Sequence, residues 1–457
     1  MSPNPPTDAT RTPHASALFA DLYALTMMRA YRDAGMRGEA TFSLFSRKLP
    51  EKRNFLLAAG LDDVLAALEN LQFTSPEIDY LADLGKFDDA FLEELSRLRF
   101  TGSVRAVTEG TPVFHNEPFI EVTAPIIEAQ WVEAMVLNQI QLQTILASKA
   151  ARMVLAANGR RVVDFGSRRA HGCEAAIKGA RAFSLAGINA TSNLAAGRRY
   201  GIETIGTMAH SFIQAFAQER EAFTAFLSSY PETVLLVDTY DTPRGVARAI
   251  ACARETGPET RLAGIRLDSG DLDSLARESR RLLDKAGMHD TQIFASGGLD
   301  EEKISALVEA GAPIDAFGVG TAMSVSEDAP ALDIVYKLVA YEGRGVMKLS
   351  SGKQTLPGPK QVFRRLEDGV AQGDRITQAD ECADGLPLLA EVMRDGKRVA
   401  PPEPLDTIRR HASQSIATLP APVRAIARAD PPYPVTISRQ LRAFSAETER
   451  ILRADSD

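Results

Sequence analysis

Cysteine is scarce: Cys173, Cys252 and Cys382 are the only three in 457 residues. An odd, small number excludes a disulfide framework, and their spacing matches no metal-ligand pattern, so packing is their expected role. Tryptophan occurs once, at Trp131, and histidine six times. No apolar run approaches the roughly 18 residues that a membrane span requires. A basic excess is also missing. Sixty acidic against 52 basic side chains leave a net charge of −8, which suits neither nucleic acid nor an anionic membrane surface. The first 16 residues, rich in proline and threonine, lack the apolar core of a signal peptide and are expected to form a disordered tail. These absences point to a cytoplasmic protein with small-molecule partners.

What is present is ordinary for a large globular core: 45% apolar and 25% charged residues. The length calls for more than one structural unit. Residues 17–98 carry apolar residues mostly at helical spacing, with a strand-like alternation over 40–45. Residues 102–123 switch to period two around a turn at His115-Asn116-Glu117 and read as antiparallel strands. A long helical stretch follows over 126–157. Short, β-branched runs then recur at 161–165, 187–191, 203–207, 233–239, 261–267, 291–295 and 316–319, most followed by a helical segment. Seven such strands predict parallel pairing through right-handed crossovers, and an α/β barrel, closed or nearly so, over 131–334. Beyond residue 334 the rhythm stops. Hairpin and helix signals there predict that 335–457 join 17–130 in a separate α+β domain.

Chemistry-bearing residues cluster where these strands end. The ends read Asp164-Phe165-Gly166-Ser167-Arg168-Arg169, Thr191-Ser192-Asn193, Gly206-Thr207-Met208-Ala209-His210, Asp238-Thr239-Tyr240-Asp241, Arg266-Leu267-Asp268-Ser269-Gly270-Asp271, Ser296-Gly297-Gly298 and Gly318-Val319-Gly320-Thr321. In α/β folds the carboxyl ends of parallel strands form the ligand-binding edge. The last two loops are glycine-rich and precede helices. Bare backbone N–H groups there suit a phosphate, so Ser296, Gly297, Gly298, Gly318, Gly320 and Thr321 are the candidate phosphate residues. Asp238, Asp241, Asp268 and Asp271 suit Mg²⁺ held partly through water, although one or two of them should only cap helices. Arg168, Arg169 and Arg266 offer fixed positive charge for a carboxylate or diphosphate. His210, between a strand and an apolar helix, is the candidate phosphoryl acceptor. His171 is a weaker one, and His14, His115, His289 and His411 are expected to be solvated.

Taken in order along the chain, these motifs resemble the nicotinate phosphoribosyltransferases. The resemblance also rests on Asp21-Leu22-Tyr23-Ala24-Leu25-Thr26-Met27, Arg47-Lys48-Leu49-Pro50, Ala59-Gly60-Leu61 and Pro359-Lys360-Gln361-Val362-Phe363. It implies an incomplete, seven-stranded α/β barrel with a second α+β domain, and transfer of phosphoribose from phosphoribosyl pyrophosphate to nicotinate, with ATP as co-substrate, Mg²⁺ as cofactor, and a homodimer with shared active sites. It implies that Tyr23 of one subunit and Phe165 of the other sandwich the pyridine ring. Arg168, Thr207 and Arg266 would lie around the ring and its carboxylate, the glycine loops and Thr321 would take the 5′-phosphate, and His210 would be phosphorylated by ATP. Asp238 or Asp268 would stabilise the ribosyl cation, with Asp238, Asp268 and Asp271 as metal candidates.

A nicotinamide or quinolinate phosphoribosyltransferase is the alternative within this chemistry, and an inert phosphosugar-sensing barrel the alternative outside it. The related nicotinamide enzyme has an aspartate where this chain has Ser192. A carboxylate there would accept from an amide and repel an acid, so neutral Ser192 favours nicotinate. Ala190 replaces the family's usual glycine in that strand, without changing this reading.

Overall fold

The structure is a computed structural model that describes residues 16–257, 259–350 and 355–454. The tail expected over residues 1–16 lies outside the described residues except for Ser16. The described residues form two compact units. One draws on the segments up to Ser148 and from Ala331 onward, the other is Lys149–Pro330.

In Lys149–Pro330, six strands make one sheet in the order Ala190–Thr191, Arg161–Asp164, Ala316–Val319, Gln292–Ala295, Arg261–Leu267, Glu232–Leu236. Every neighbouring pair is parallel, giving an α/β half-barrel. Parallel strands are covered on both faces, which is why they are continuous apolar runs: Val162, Val163, Ile293, Phe317 and Val319 are each at most 1% exposed. Parallel pairing also puts all six carboxyl ends at one edge. The helices Thr242–Thr256, Leu272–Lys285 and Glu301–Glu309 start close behind those ends. Each is capped by an aspartate, Asp241, Asp271 and Asp300, accepting from the backbone N–H three residues on. A side-chain acceptor at this position satisfies one of the orphan donors of a helix start.

The segment 203–207, expected as a seventh strand, contributes a single parallel bridge between Thr191 and Thr204. Thr191 donates to the Glu203 carbonyl and Ile205 donates to the Thr191 carbonyl, both at 3.0 Å. Glu203, Thr204 and Gly206 are exposed. With so little apolar surface to cover, pairing here does not extend beyond the bridge.

The other unit carries a seven-stranded sheet ordered Arg344–Gly345, Ile334–Tyr341, Glu39–Ser46, Pro118–Pro125, Ser103–Val107, Leu389–Arg394, Lys397–Arg398. The three strands from the first part of the chain lie together in the middle, flanked on each side by two from the last part. Glu39–Ser46 is its buried centre, with seven of eight residues inaccessible. A four-stranded sheet adds Leu386–Pro387, Lys360–Glu367, Val370–Gln378 and Val435–Ile437. The turn at Glu342-Gly343 has φ of 47° and 75°, the left-handed pair that a tight hairpin needs. The long helix expected over 126–157 divides at Val132 into Ile126–Trp131 and Glu133–Ala157.

Only Cys252 packs in the core, while Cys173 and Cys382 are exposed. His289 is solvated as expected, and His14 lies outside the described residues. His115 and His411 are half-buried. Burial lowers the pKa of both, with Arg428 adding to the effect at His115 and Glu403 opposing it at His411. His411 Nε2 lies 3.0 Å from the Thr111 hydroxyl.

Candidate active site

The carboxyl ends of the half-barrel strands are joined by an unbroken series of side-chain contacts. Arg266, the penultimate residue of its strand, donates through Nη1 to the Thr207 hydroxyl at 2.8 Å. Its guanidinium carbon lies 5.8 Å from the centroid of the Phe165 ring, within range of cation–π attraction. The Phe165 ring in turn lies against Gly318. A Cβ on that glycine would fall 2.6 Å from two ring carbons and 3.2 Å from Cβ of Ser296. Glycine at 318 is therefore a space requirement for the aromatic ring.

Ser296 continues the series by donating to Asp268 Oδ1 at 2.6 Å. Asp268 Oδ2 sits 3.9 Å from His210 Nε2, and His210 Nδ1 lies 3.0 Å from the Thr239 hydroxyl. Asp238 accepts through Oδ2 from the Asp268 backbone N–H at 2.9 Å and from the Ser269 hydroxyl at 2.7 Å. Gly297, at φ +87°, passes so close to Asp268 that any side chain would overlap the Asp268 carbonyl oxygen. Gly298, at φ +60°, follows, and Lys303 Nζ donates to its carbonyl at 2.5 Å. Thr207, His210, Asp238, Arg266, Asp268, Phe165, Ser296, Gly297 and Gly318 thus belong to one locality.

Two groups in this locality lack protein partners. Arg266 Nε and Asp238 Oδ1 are buried and make no hydrogen bond. Buried polar atoms are nearly always satisfied, so a cation donor and an anion acceptor left open in one locality mark a place for ligand. Burial lowers the pKa of Arg266, Asp268 and Asp238 oppose that, and Arg168 pushes it further down. An arginine so placed remains a cation, and desolvation strengthens its attraction for an incoming carboxylate.

Other candidates stand at the rim. Arg168, Ser192, Thr321, Gly297 and Gly298 are exposed. Ser192 donates its backbone N–H to the Asp164 carbonyl at 2.9 Å. Gly320 precedes Thr321 at the start of a one-turn helix, and a Cβ on it would sit 3.6 Å from the Phe165 carbonyl oxygen. Asp241 and Asp271 each use one carboxylate oxygen as a helix cap. Among the described residues no three His, Cys, Asp or Glu are grouped to hold a metal ion. Tyr23 belongs to the other unit. It is 49% exposed, its hydroxyl donates to Glu133 at 3.0 Å, and burial, ahead of Glu133, raises its pKa to about 12. Phe19 and Leu22 beside it are also exposed.

Sequence reasoning missed the polar supports. Thr239 and Ser269 lie inside strand ends that it had marked, yet nothing in a sequence says which neighbour turns toward His210 or Asp238. Asp164 and Thr191, both 1% exposed, look in the sequence like ordinary strand-terminal residues.

Three family models match the chain: the nicotinate phosphoribosyltransferase N-terminal domain over residues 18–141, the nicotinate phosphoribosyltransferase family over 160–367, and the C-terminal domain over 383–445. A nicotinate phosphoribosyltransferase of Mycobacterium tuberculosis is 52% identical over 444 residues, which is 97% of this chain and 95% of that protein. One of Bacillus subtilis is 43% identical over 375 residues, 80% of this chain and 76% of its own length. The crystal structure of human nicotinic acid phosphoribosyltransferase superposes with a TM-score of 0.85 at 28% identity, covering 94% of this chain and all of that one. No helix among the described residues is long and apolar enough to cross a membrane. Matched by such relatives over nearly its whole length, and with the strand-end site in place, this chain belongs to the nicotinate phosphoribosyltransferase family.

Proposed function

We propose that this chain transfers the 5-phosphoribosyl group of phosphoribosyl pyrophosphate to the ring nitrogen of nicotinate, releasing pyrophosphate, and couples ATP hydrolysis to that transfer through phosphorylation of His210. The observation that carries the reading is Arg266, set beside the Phe165 ring with its Nε unpartnered. A planar acid fits there: the ring lies along the aromatic face and its carboxylate meets the guanidinium, helped by Thr207 and Arg168.

A pyridine nitrogen has no proton to lose, so the transfer needs no general base. The barrier lies in the positive charge that develops at the ribose C1 as pyrophosphate departs. Asp238 and Asp268, tied together through the Asp268 N–H, present fixed negative charge for it. Ser296, Gly297, Gly298, Gly318, Gly320 and Thr321 hold the 5′-phosphate. His210 accepts a phosphoryl group from ATP on a ring nitrogen, and its place beside Asp268 links that event to the transfer centre.

The donor set fits Mg²⁺, because Asp238 Oδ1 is buried without a partner and carboxylate oxygens are what this cation binds. Asp238 and Asp268 would hold it, with Asp271 acting through water, and the ion would offset the charge of the leaving pyrophosphate. The site is read as shared in a homodimer, with Tyr23 of the partner subunit closing over the pyridine ring. Exposure of Tyr23 next to Phe19 and Leu22 supports that. Free thiols at all three cysteines suit a reducing cytoplasm.

Assaying the purified protein with nicotinate, nicotinamide and quinolinate, each with and without ATP, tests the reading. Nicotinate should be consumed, and faster with ATP. His210→Ala should lose the ATP stimulation while keeping slow transfer. Activity confined to a non-nicotinate base would overturn the substrate, and unchanged stimulation in His210→Ala would overturn the phosphohistidine.

A further inference from the structure

We infer that Asp164 is a positioning residue for the nicotinate pocket, one buried carboxylate that sets the distance between the Phe165 ring and the strand end carrying Ser192. The inference deepens the nicotinate reading and rests on it.

Asp164 is the last residue of its strand and is 1% exposed. Its two carboxylate oxygens are used in opposite directions. Oδ1 accepts from the Gly166 backbone N–H at 2.8 Å, which folds the chain tightly around Phe165. Oδ2 accepts from the Thr191 hydroxyl at 2.7 Å, on the neighbouring strand. The Thr191 hydroxyl oxygen accepts in turn from the Asn193 N–H at 3.1 Å, and the Asp164 carbonyl accepts from the Ser192 N–H at 2.9 Å. Ser192 is thus held from both sides by one network. Phe165 is pinned independently, through its N–H to the Val319 carbonyl at 2.8 Å.

Among the described residues no cation is paired with this carboxylate, and burial raises its pKa against the two donors that lower it. A buried anion with only neutral donors is a costly way to close a turn. Its advantage is geometric. A carboxylate accepts from both donors at once, whereas an asparagine that keeps its oxygen on the Gly166 N–H turns its NH₂ on the Thr191 hydroxyl and forces that group to accept instead. Gly166 leaves the turn no slack, because a side chain there would overlap the Ser324 hydroxyl. The width between the aromatic face and Ser192 is therefore fixed by both Asp164 oxygens together.

The test is steady-state kinetics of Asp164→Asn, Thr191→Val and the double variant, with each substrate varied in turn. Asp164→Asn should raise KM for nicotinate at least tenfold, while KM for phosphoribosyl pyrophosphate stays within twofold and kcat falls less. Thr191→Val should shift in the same direction, and adding it to Asp164→Asn should change little, because both cut the same tie. An unchanged nicotinate KM in both single variants would overturn the inference, as would a loss spread equally over kcat and both KM values. Should Asp164→Asn fail to fold, Thr191→Val decides by the same criteria. Failure of the function itself is distinguishable, since the unmodified protein would then not consume nicotinate.

Discussion

Two regions of this molecule bury charge, and they do so in opposite ways. In the unit built from both chain ends, Arg364 donates to both oxygens of Asp374 at 3.0 and 2.6 Å and to the Pro112 carbonyl at 2.8 Å. Tyr433 adds a hydroxyl to Asp374 at 2.8 Å. The guanidinium carbon lies 5.5 and 5.9 Å from the Phe114 and Tyr433 rings, which stack at 3.9 Å. Asp374 is fully inaccessible and Arg364 nearly so. Neither residue keeps a buried side-chain nitrogen or oxygen without a partner. At the strand ends of Lys149–Pro330, Arg266 and Asp238 are part-buried, yet each keeps one buried atom without a partner. A saturated buried pair holds a fold together, whereas an unsaturated one waits for a ligand.

The largest effect should come from breaking the saturated pair. Asp374→Ala leaves Arg364 buried without its counter-ion and should cost about 3–5 kcal/mol of unfolding free energy, measured by urea denaturation. A cost under about 1 kcal/mol would erase the contrast between the two regions. At the unsaturated site the loss should fall on activity instead. Arg266→Ala should lower kcat/KM for nicotinate roughly a hundredfold, about 3 kcal/mol, because a charge-assisted contact disappears, with little change in urea midpoint. Mixing it with Tyr23→Ala subunits should restore part of the activity if each site draws on two chains, and absence of any recovery would count against a shared site.

Ser192→Asp should shift preference from nicotinate toward nicotinamide by about tenfold, the order of 1.4 kcal/mol, seen as a ratio of kcat/KM values. The smallest effect concerns Glu117, which is fully buried near Asp374. Burial first, and Asp374 next, hold its carboxyl well above the ordinary value of 4.5. Its Oε2 accepts from the Phe114 N–H at 2.8 Å, while its Oε1 is buried without a hydrogen-bond partner. The sign follows from linkage. The folded state keeps a proton that the unfolded chain releases above about pH 4.5, so this contribution is complete at lower pH and is lost as pH rises through the folded value. Glu117→Gln supplies a permanent donor. It should leave stability at neutral pH equal or slightly higher and flatten the slope of unfolding free energy above pH 4.5. An unchanged slope would mean that Glu117 ionises in the fold.

Much of the half-barrel was legible in the sequence, because a parallel strand buried on both faces must be a short β-branched run and its helix must begin with a cap. Six of the seven expected runs became paired strands. The run at 203–207 was too polar to pair beyond Thr204. The candidate residues were legible for the same reason, since parallel strands deliver their carboxyl ends to one edge whatever follows them. The polar supports were not, because Asp164, Thr239 and Ser269 gain their meaning from partners 27, 29 and 31 residues away, on neighbouring strand ends. Cys173, Cys382, His115 and His411 were misjudged because residue type reports average burial, and single positions depart from it.

By itself, then, the sequence determined the alternation of strand and helix and the residue types at each strand end, through local rules of periodicity, capping and glycine freedom. The three-dimensional arrangement decided which of those residues touch: that Arg266 lies along Phe165, that Ser296 bridges to Asp268, and that Nε and Oδ1 stay open. Such contacts depend on register and side-chain direction across strands, and no local pattern in the chain encodes them.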